Sequence, residues 1–306
     1  MTVLIFGASG LIGRALTAAL NEGGHRVVAA TRDPRRANDL PADVREWNPR
    51  EPRLPIALFE GVDAVVNLTG ANIAAKRWTR RRKQEILDSR VETNRKIVQA
   101  LKQRAHQPRV FITGSAVGYY GSVHDRRLTE GSPAGNDFLA RVCRQLEQEA
   151  LKAVHLGVRT IALRTGVVLS ADGGALPKMM RPFRFGLGGW LGSGKQWFPW
   201  IHIEDLVRII LFLLENDHLQ GAVNGVAPGV VTNKQFAKLL GKTLVRPTLF
   251  PVPAAALRFL LGEVAQALLA SLRVVPEKLQ QAGFRFRFPE LKMALEDLLI
   301  DRKEKK

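Results

Sequence analysis

The chain has 306 residues, 46% of them hydrophobic and 24% charged, which suits a globular protein with a substantial core and excludes a disordered or low-complexity polymer. Its one cysteine, Cys143, excludes an internal disulfide and a cysteine-based zinc cluster, so no metal site is expected. Lys and Arg number 46 against 28 Asp and Glu, a formal charge of +18 that attracts polyanions of any kind.

Short apolar runs alternate with longer amphipathic ones through the first half, the pattern of βαβ units around a parallel sheet. Residues 2–6 read as a strand with no basic leader before it, so no signal peptide is expected and the cytoplasm is the default location. Residues 11–22 read as a helix with Leu11, Ile12, Ala15, Leu16, Ala19 and Leu20 on one face, closed by Gly23 and Gly24. Strands follow at residues 26–30, 44–47 and 64–68. A long helix is expected over 79–103, a strand at 110–113, a helix over 136–155 and a strand at 160–163. Right-handed crossovers assemble these into a doubly wound sheet. Gly and Pro are dense over 171–198. A helix near 203–215 and a strand near 222–226 restore regularity. The domain reading is 1–246 for the sheet domain, with a pocket segment at about 171–202, and 247–300 for a small, mainly helical C-terminal domain. The apolar stretch 254–272 carries Arg258 and Glu263, so it reads as a packed amphipathic helix and not as a membrane span. The densest basic run, Lys76-Arg77-Trp78-Thr79-Arg80-Arg81-Arg82-Lys83, reads as the solvated start of a helix. No nucleic-acid-binding module accompanies it, so no specific nucleic-acid partner is expected.

Gly7-Ala8-Ser9-Gly10-Leu11-Ile12-Gly13 lies between the first strand and the first helix. In a Rossmann unit Gly7 makes the tight turn, Gly10 lets backbone approach a pyrophosphate, and Gly13 lets helix and strand pack closely. The free N–H groups of the helix start then face the phosphates. The end of the second strand selects the cofactor: an acid there binds the ribose of NAD, an Arg receives the 2′-phosphate of NADP. Thr31 and Arg32 stand at the strand tip and favour NADP(H), whereas Asp33 would take the acidic position if the strand ran longer. Leu68, Thr69 and Gly70 after the fourth strand, and Thr113, Gly114 and Ser115 at the fifth, line the same crevice.

The glycine spacing, Gly61-Val62-Asp63-Ala64-Val65-Val66-Asn67-Leu68 and Thr113-Gly114-Ser115 together resemble an extended short-chain dehydrogenase/reductase. Several phrases narrow the resemblance to its atypical branch: Ser89-Arg90-Val91-Glu92-Thr93, Asp137-Phe138-Leu139-Ala140, Pro182-Phe183-Arg184-Phe185-Gly186-Leu187-Gly188-Gly189, Phe198-Pro199-Trp200-Ile201-His202, and Gly283-Phe284-x-Phe286-x-Phe288-Pro289-x-Leu291. That branch is the "epimerase family" of NADP-dependent oxidoreductases, also labelled cell-division-inhibitor-like proteins. The resemblance implies cofactor contacts at Thr31, Arg32, Leu68, Thr69, Glu85, Arg90 and Val168.

One departure bears on the chemistry. Active reductases of this superfamily carry a Tyr and, four residues on, a Lys on the helix after the fifth strand, where the Lys lowers the Tyr pKa for proton transfer. By alignment Leu139 and Cys143 occupy those places here. Substitutes for the proton donor are Ser115, Tyr119, Tyr120 and His202, although His202 with nearby Asp205 also suits a helix start. Two functions stay open: an NADP(H)-dependent oxidoreductase or epimerase-like enzyme on an unidentified small carbonyl or hydroxyl compound, and an NADP(H)-binding regulator or redox sensor with little turnover. Residues 182–202, rich in Gly and Trp, are expected to wall the substrate pocket, with Trp200 and His202 at its base and the C-terminal domain above. A homodimer is compatible with the sequence.

Overall fold

Strand β1 (Thr2–Phe6) is apolar throughout its buried length because both its faces are covered. Val3 and Ile5 point to one side of the sheet and Leu4 and Phe6 to the other. The computed structural model describes residues 1–249 and 251–301. Helix α1 (Leu11–Glu22) buries Leu16 and Leu20, and the chain turns back through Gly24. β2 (Arg26–Thr31) runs one residue beyond the expected end, so Thr31 belongs to the strand and Arg32 is the first residue past it. β3 (Asp43–Glu46) and β4 (Ala64–Asn67) follow, then α2 (Arg80–Lys102), whose cap Thr79 accepts from the N–H of Arg82.

β5 (Val110–Ala116) leads to a short β6 (Arg127–Leu128) and then α3 (Phe138–Leu151), capped by Asp137. The expected helix over 136–155 ends in a 3₁₀ turn at Lys152–Leu156. β7 (Arg159–Thr165), β8 (Val167–Leu169) and α4 (Leu176–Arg184) come next. They are followed by β9 (Trp197–Phe198), β10 (Trp200–His202), α5 (Ile203–Glu215) and β11 (Gly221–Gly225).

The main sheet has seven strands in the order β3-β2-β1-β4-β5-β7-β11, every neighbouring pair parallel. This is the doubly wound, Rossmann-like arrangement, with its switch point between β1 and β4. Leu16 and Leu20 of α1 pack with Ile209, Ile210 and Leu213 of α5 on one face. Ile97, Val98 and Leu101 of α2 cover the other.

The C-terminal region is mainly helical: β12 (Val231–Thr232) and α6 (Asn233–Thr243) precede α7 (Ala254–Leu261), α8 (Val264–Leu269), β13 (Arg273–Val274), α9 (Glu277–Gln281) and α10 (Leu291–Glu296). The single helix expected over 254–272 is broken at Gly262, whose φ of 61° no regular helix accepts. Phe284, Phe288, Leu291 and Leu295 join the same buried cluster as Val3 and Ile5, so this region packs into the principal core. No helix among the described residues is long and apolar enough to cross a membrane.

Candidate cofactor and active site

The turn after β1 is shaped by what its glycines allow. Gly7 adopts φ 86°, and a Cβ there would lie 3.1 Å from the backbone of Leu68, so the loops after β1 and β4 touch. A Cβ on Gly13 would come within 2.3 Å of the Gly7 carbonyl, a distance no side chain survives. Gly10 is the N-cap of α1 and offers no side chain to the first-turn N–H groups, leaving the positive helix end facing the crevice. Arg14 steadies the loop by donating to the Ser9 carbonyl at 3.2 Å and pairing with Asp39 at 2.6 Å. Leu11 and Ile12 open the helix. A Cβ on Gly174 would meet the Leu11 side chain at 3.0 Å and the Val168 carbonyl at 3.9 Å, so the glycine-rich segment begins directly over the β1–α1 loop.

At the strand tip Thr31 is buried and its Oγ1 lies 3.2 Å from both the N and O of Asp33. That turn diverts the chain, so Asp33 opens a 3₁₀ turn (Pro34–Ala37) and does not continue the strand. Arg32 is exposed and lines a cleft of about 340 Å³ with Glu46, Asn48, Pro49 and Arg50.

Between β4 and β5 lies a buried polar network absent from the sequence reading as a unit. Asn67 donates to Asn94 at 2.7 Å and Thr113 donates to the same oxygen at 3.0 Å, while Asn94 donates to the Leu146 carbonyl at 2.9 Å. Asn67 Oδ1 accepts from the hydroxyl and N–H of Thr69, fixing that side chain at the crevice. Arg90 donates to the carbonyls of Ile86 and Ala71 at 3.1 Å, and its guanidinium occupies the space a Cβ on Gly70 would need. Burial pulls the Arg90 pKa below its usual value. Gly114 packs 3.3 Å from the Asn67 carbonyl by the same measure. Glu85 is exposed on α2 and pairs with Arg82 at 2.7 Å.

The floor beyond β5 is ionic. Ser115 donates its hydroxyl to Glu147 at 2.6 Å, and Glu147 is held by Arg164 through contacts of 3.0 and 2.8 Å, both side chains almost fully buried. Burial works against the Arg164 charge, yet the hydrogen bonds and charge of Glu147 hold its pKa above the usual value. Tyr120 is buried, donates to Asn224 at 2.7 Å and accepts from Arg164 at 3.1 Å, and burial pushes its pKa up to about 12. The half-buried Tyr119 lays its ring 3.4 Å from the Arg164 guanidinium. Cys143 is buried beside Ser115, and burial with the Glu147 charge raises its pKa to about 11. Leu139 abuts Gly118 on the turn after β5. The structure therefore gathers Ser115, Tyr119, Tyr120 and Cys143 about the Glu147–Arg164 pair, with Leu139 against the turn that carries the two tyrosines.

It separates His202 and Trp200 from that cluster. His202 is fully buried against the Phe288 ring, caps α5 through Nδ1 and lies 3.1 Å from Asp297. Trp200 is buried and donates to the Gly229 carbonyl at 2.9 Å. The expectation that these two form the base of a pocket wall is corrected: both rings serve the core.

A sequence profile described as the NAD dependent epimerase/dehydratase family matches residues 3–224. The chain belongs to this family. A domain of unknown function matches residues 252–298. Mouse (Mus musculus) epimerase family protein SDR39U1 is 39% identical over 303 residues, covering 98% of this chain and all of the relative. Epimerase family protein Mb2239 of Mycobacterium bovis is 42% identical over 296 residues, covering 96% of each. The crystal structure of human epimerase family protein SDR39U1 with NADPH superposes with a TM-score of 0.88 at 35% identity, covering 98% of this chain and 99% of the other. The resemblance to an atypical extended short-chain dehydrogenase/reductase thus holds for this epimerase-family chain. Glu147, Arg164, Asn94 and Arg50 escaped the sequence reading. For Arg164 a signal existed: a charge ending the apolar run Ile161-Ala162-Leu163 implies a buried partner.

Proposed function

We propose that this epimerase-family chain binds NADP(H) in the crevice at the β1/β4 switch point and uses it for hydride exchange with a small carbonyl or hydroxyl compound. The observation that carries this reading is Arg32, exposed immediately past β2 beside an open cleft, with Asp33 turned away from the acidic position. In it, Gly7, Ser9, Gly10, Leu11, Ile12 and Gly13 cradle the pyrophosphate, and Thr31 and Arg32 receive the 2′-phosphate. Leu68, Thr69, Gly70, Glu85, Arg90, Thr113, Gly114 and Val168 line the remaining length. The close approach of Gly7 to Leu68 and the uncapped start of α1 support that fit.

When bound, the nicotinamide supplies or accepts the hydride. Ser115, with its hydrogen committed to Glu147, offers lone pairs to a ligand and so favours a substrate hydroxyl. Leu139 and the high-pKa thiol of Cys143 provide no ready proton at neutral pH. General-acid help is worth roughly 10²–10⁴-fold, so simple aldehydes and ketones should turn over slowly. The same pair of residues supports the second reading, an NADP(H)-binding regulator. Rapid NADPH oxidation with simple carbonyls would favour the enzyme and direct attention to Tyr119.

Titration calorimetry tests the cofactor choice. Arg32→Ala should weaken NADPH about 10- to 100-fold, as loss of a charge-assisted phosphate contact implies, and leave NADH nearly unchanged. Equal losses for both cofactors would contradict the assignment.

A further inference from the structure

The cleft beside Arg32 holds a second, unassigned arginine. Register places Glu46 of β3 opposite Thr31, so a carboxylate shares the rim with Arg32. With Arg32 alone the two charges cancel, and a phosphate monoester carrying about −1.5 to −2 would find no net attraction. Arg50 supplies the cation that tips the balance.

Arg50 is presented by a built turn. Asn48 Oδ1 accepts from the Arg50 N–H at 2.9 Å, and the Asn48 carbonyl accepts from the Glu51 N–H at 3.1 Å. Lys96 of α2 donates to the carbonyls of Pro49 and Glu51, each at 2.6 Å, and so grips the turn from behind. The buried Trp47 anchors its start, its ring edge-on to Phe6 and its backbone N–H donating to the Thr31 carbonyl at 2.9 Å. Neither Arg32 nor Arg50 has a side-chain hydrogen bond or ion pair among the described residues. Two unspent guanidinium groups and an anchored turn converge on one cleft.

We infer that Arg50 is the second arm of the 2′-phosphate site, a specificity-determining residue that works with Arg32 and against Glu46, and that Lys96 is a positioning residue for it. This rests on the NADP(H) reading above. A guanidinium is suited to the task because its planar fork matches phosphate oxygens two at a time.

The test measures binding of adenosine 2′,5′-bisphosphate, 5′-AMP, NADPH and NADH to the full chain by calorimetry, independently of any turnover. Arg50 is exposed, so Arg50→Ala should fold normally. It should weaken the bisphosphate and NADPH about 10-fold while shifting AMP and NADH less than about twofold. Arg50→Lys should fall between, and Glu46→Gln should tighten NADPH several-fold. Lys96→Met should reproduce part of the Arg50→Ala loss with the same preference for phosphorylated ligands. Unchanged bisphosphate binding in Arg50→Ala, with Arg32→Ala still impaired, would overturn the role of Arg50 and leave the cofactor reading standing. Equal losses for AMP and the bisphosphate would also overturn it, because Arg50 would then serve the adenosine. Failure of the unsubstituted chain to bind either NADPH or the bisphosphate would overturn both readings.

Discussion

Both ring nitrogens of His202 are engaged, Nδ1 accepting from the Glu204 N–H at 3.1 Å and Nε2 facing Asp297 at 3.1 Å. An accepting Nδ1 leaves the proton of the neutral ring on Nε2, where it donates to the carboxylate. Burial lowers the His202 pKa, and the nearby acids Asp297, Asp205 and Glu204 only partly oppose it. The native state therefore stays neutral where the unfolded chain, titrating near its ordinary value of about 6.5, takes up a proton. Stability from this group is complete above that pH and is lost as pH falls, by at most about 1.4 kcal/mol per unit. His202→Asn keeps an oxygen to cap α5 and removes the titration. Urea midpoints at pH 7.5 and 5.5 should differ less in the variant than in the parent, and equal differences would show that His202 is not responsible. Leu139 and Cys143 were legible as departures because the family resemblance, carried along the helix after the fifth strand, places them where the Tyr and Lys would stand. The Glu147–Arg164 pair was not: the charge closing the Ile161-Ala162-Leu163 run signals that Arg164 needs a buried partner, but the partner lies on α3, across the fold from β7, and no local pattern names it.

Among the elements, the loop from β1 to α1 is the most strictly determined. Gly13→Ala would force a methyl group to within 2.3 Å of the Gly7 carbonyl and 2.7 Å of the Ala8 backbone, so helix and strand must move apart. Overpacking of this kind costs typically about 1–3 kcal/mol, and here it would also spoil the proposed pyrophosphate cradle. Thermal unfolding should drop by several degrees and NADPH binding should fall steeply. Retained affinity in a destabilised variant would separate the two roles. This motif was readable because turn, helix start and strand lie within thirteen residues. Residues 182–202 read less well. Their glycines and indoles suggested a pocket wall, but Trp200 pairs with a carbonyl from beyond β11 and lies in the core. Aromatic content alone does not distinguish a wall from a packing contact.

Across the whole molecule, the C-terminal region is tied to the sheet by contacts far apart in sequence. The buried carboxylate of Asp205 accepts from the N–H groups of Arg287 and Phe288, each at 2.8 Å, which explains the terminal Phe-rich phrase as an anchor. The basic run read as a solvated helix start also has structural work: Arg77 donates to the carbonyls of Phe259 and Leu260, and Lys83 pairs with Glu263. Trp78 between them is buried against Phe138. Part of the charge excess thus clasps α7 and α8 to the body, a use that composition could not reveal. The sheet order followed from periodicity, whereas the placement of the C-terminal helices depended on these long-range partners. The proposed function rests on one crevice, from Arg32 through the α1 N-terminus to Ser115, holding NADP(H). A crystal structure of the complex with NADP⁺ tests it directly. The expected result is the 2′-phosphate beside Arg32, the pyrophosphate at the start of α1 and the nicotinamide near Ser115, Leu139 and Cys143. A dinucleotide bound elsewhere, or with its 2′-phosphate remote from Arg32, would contradict it.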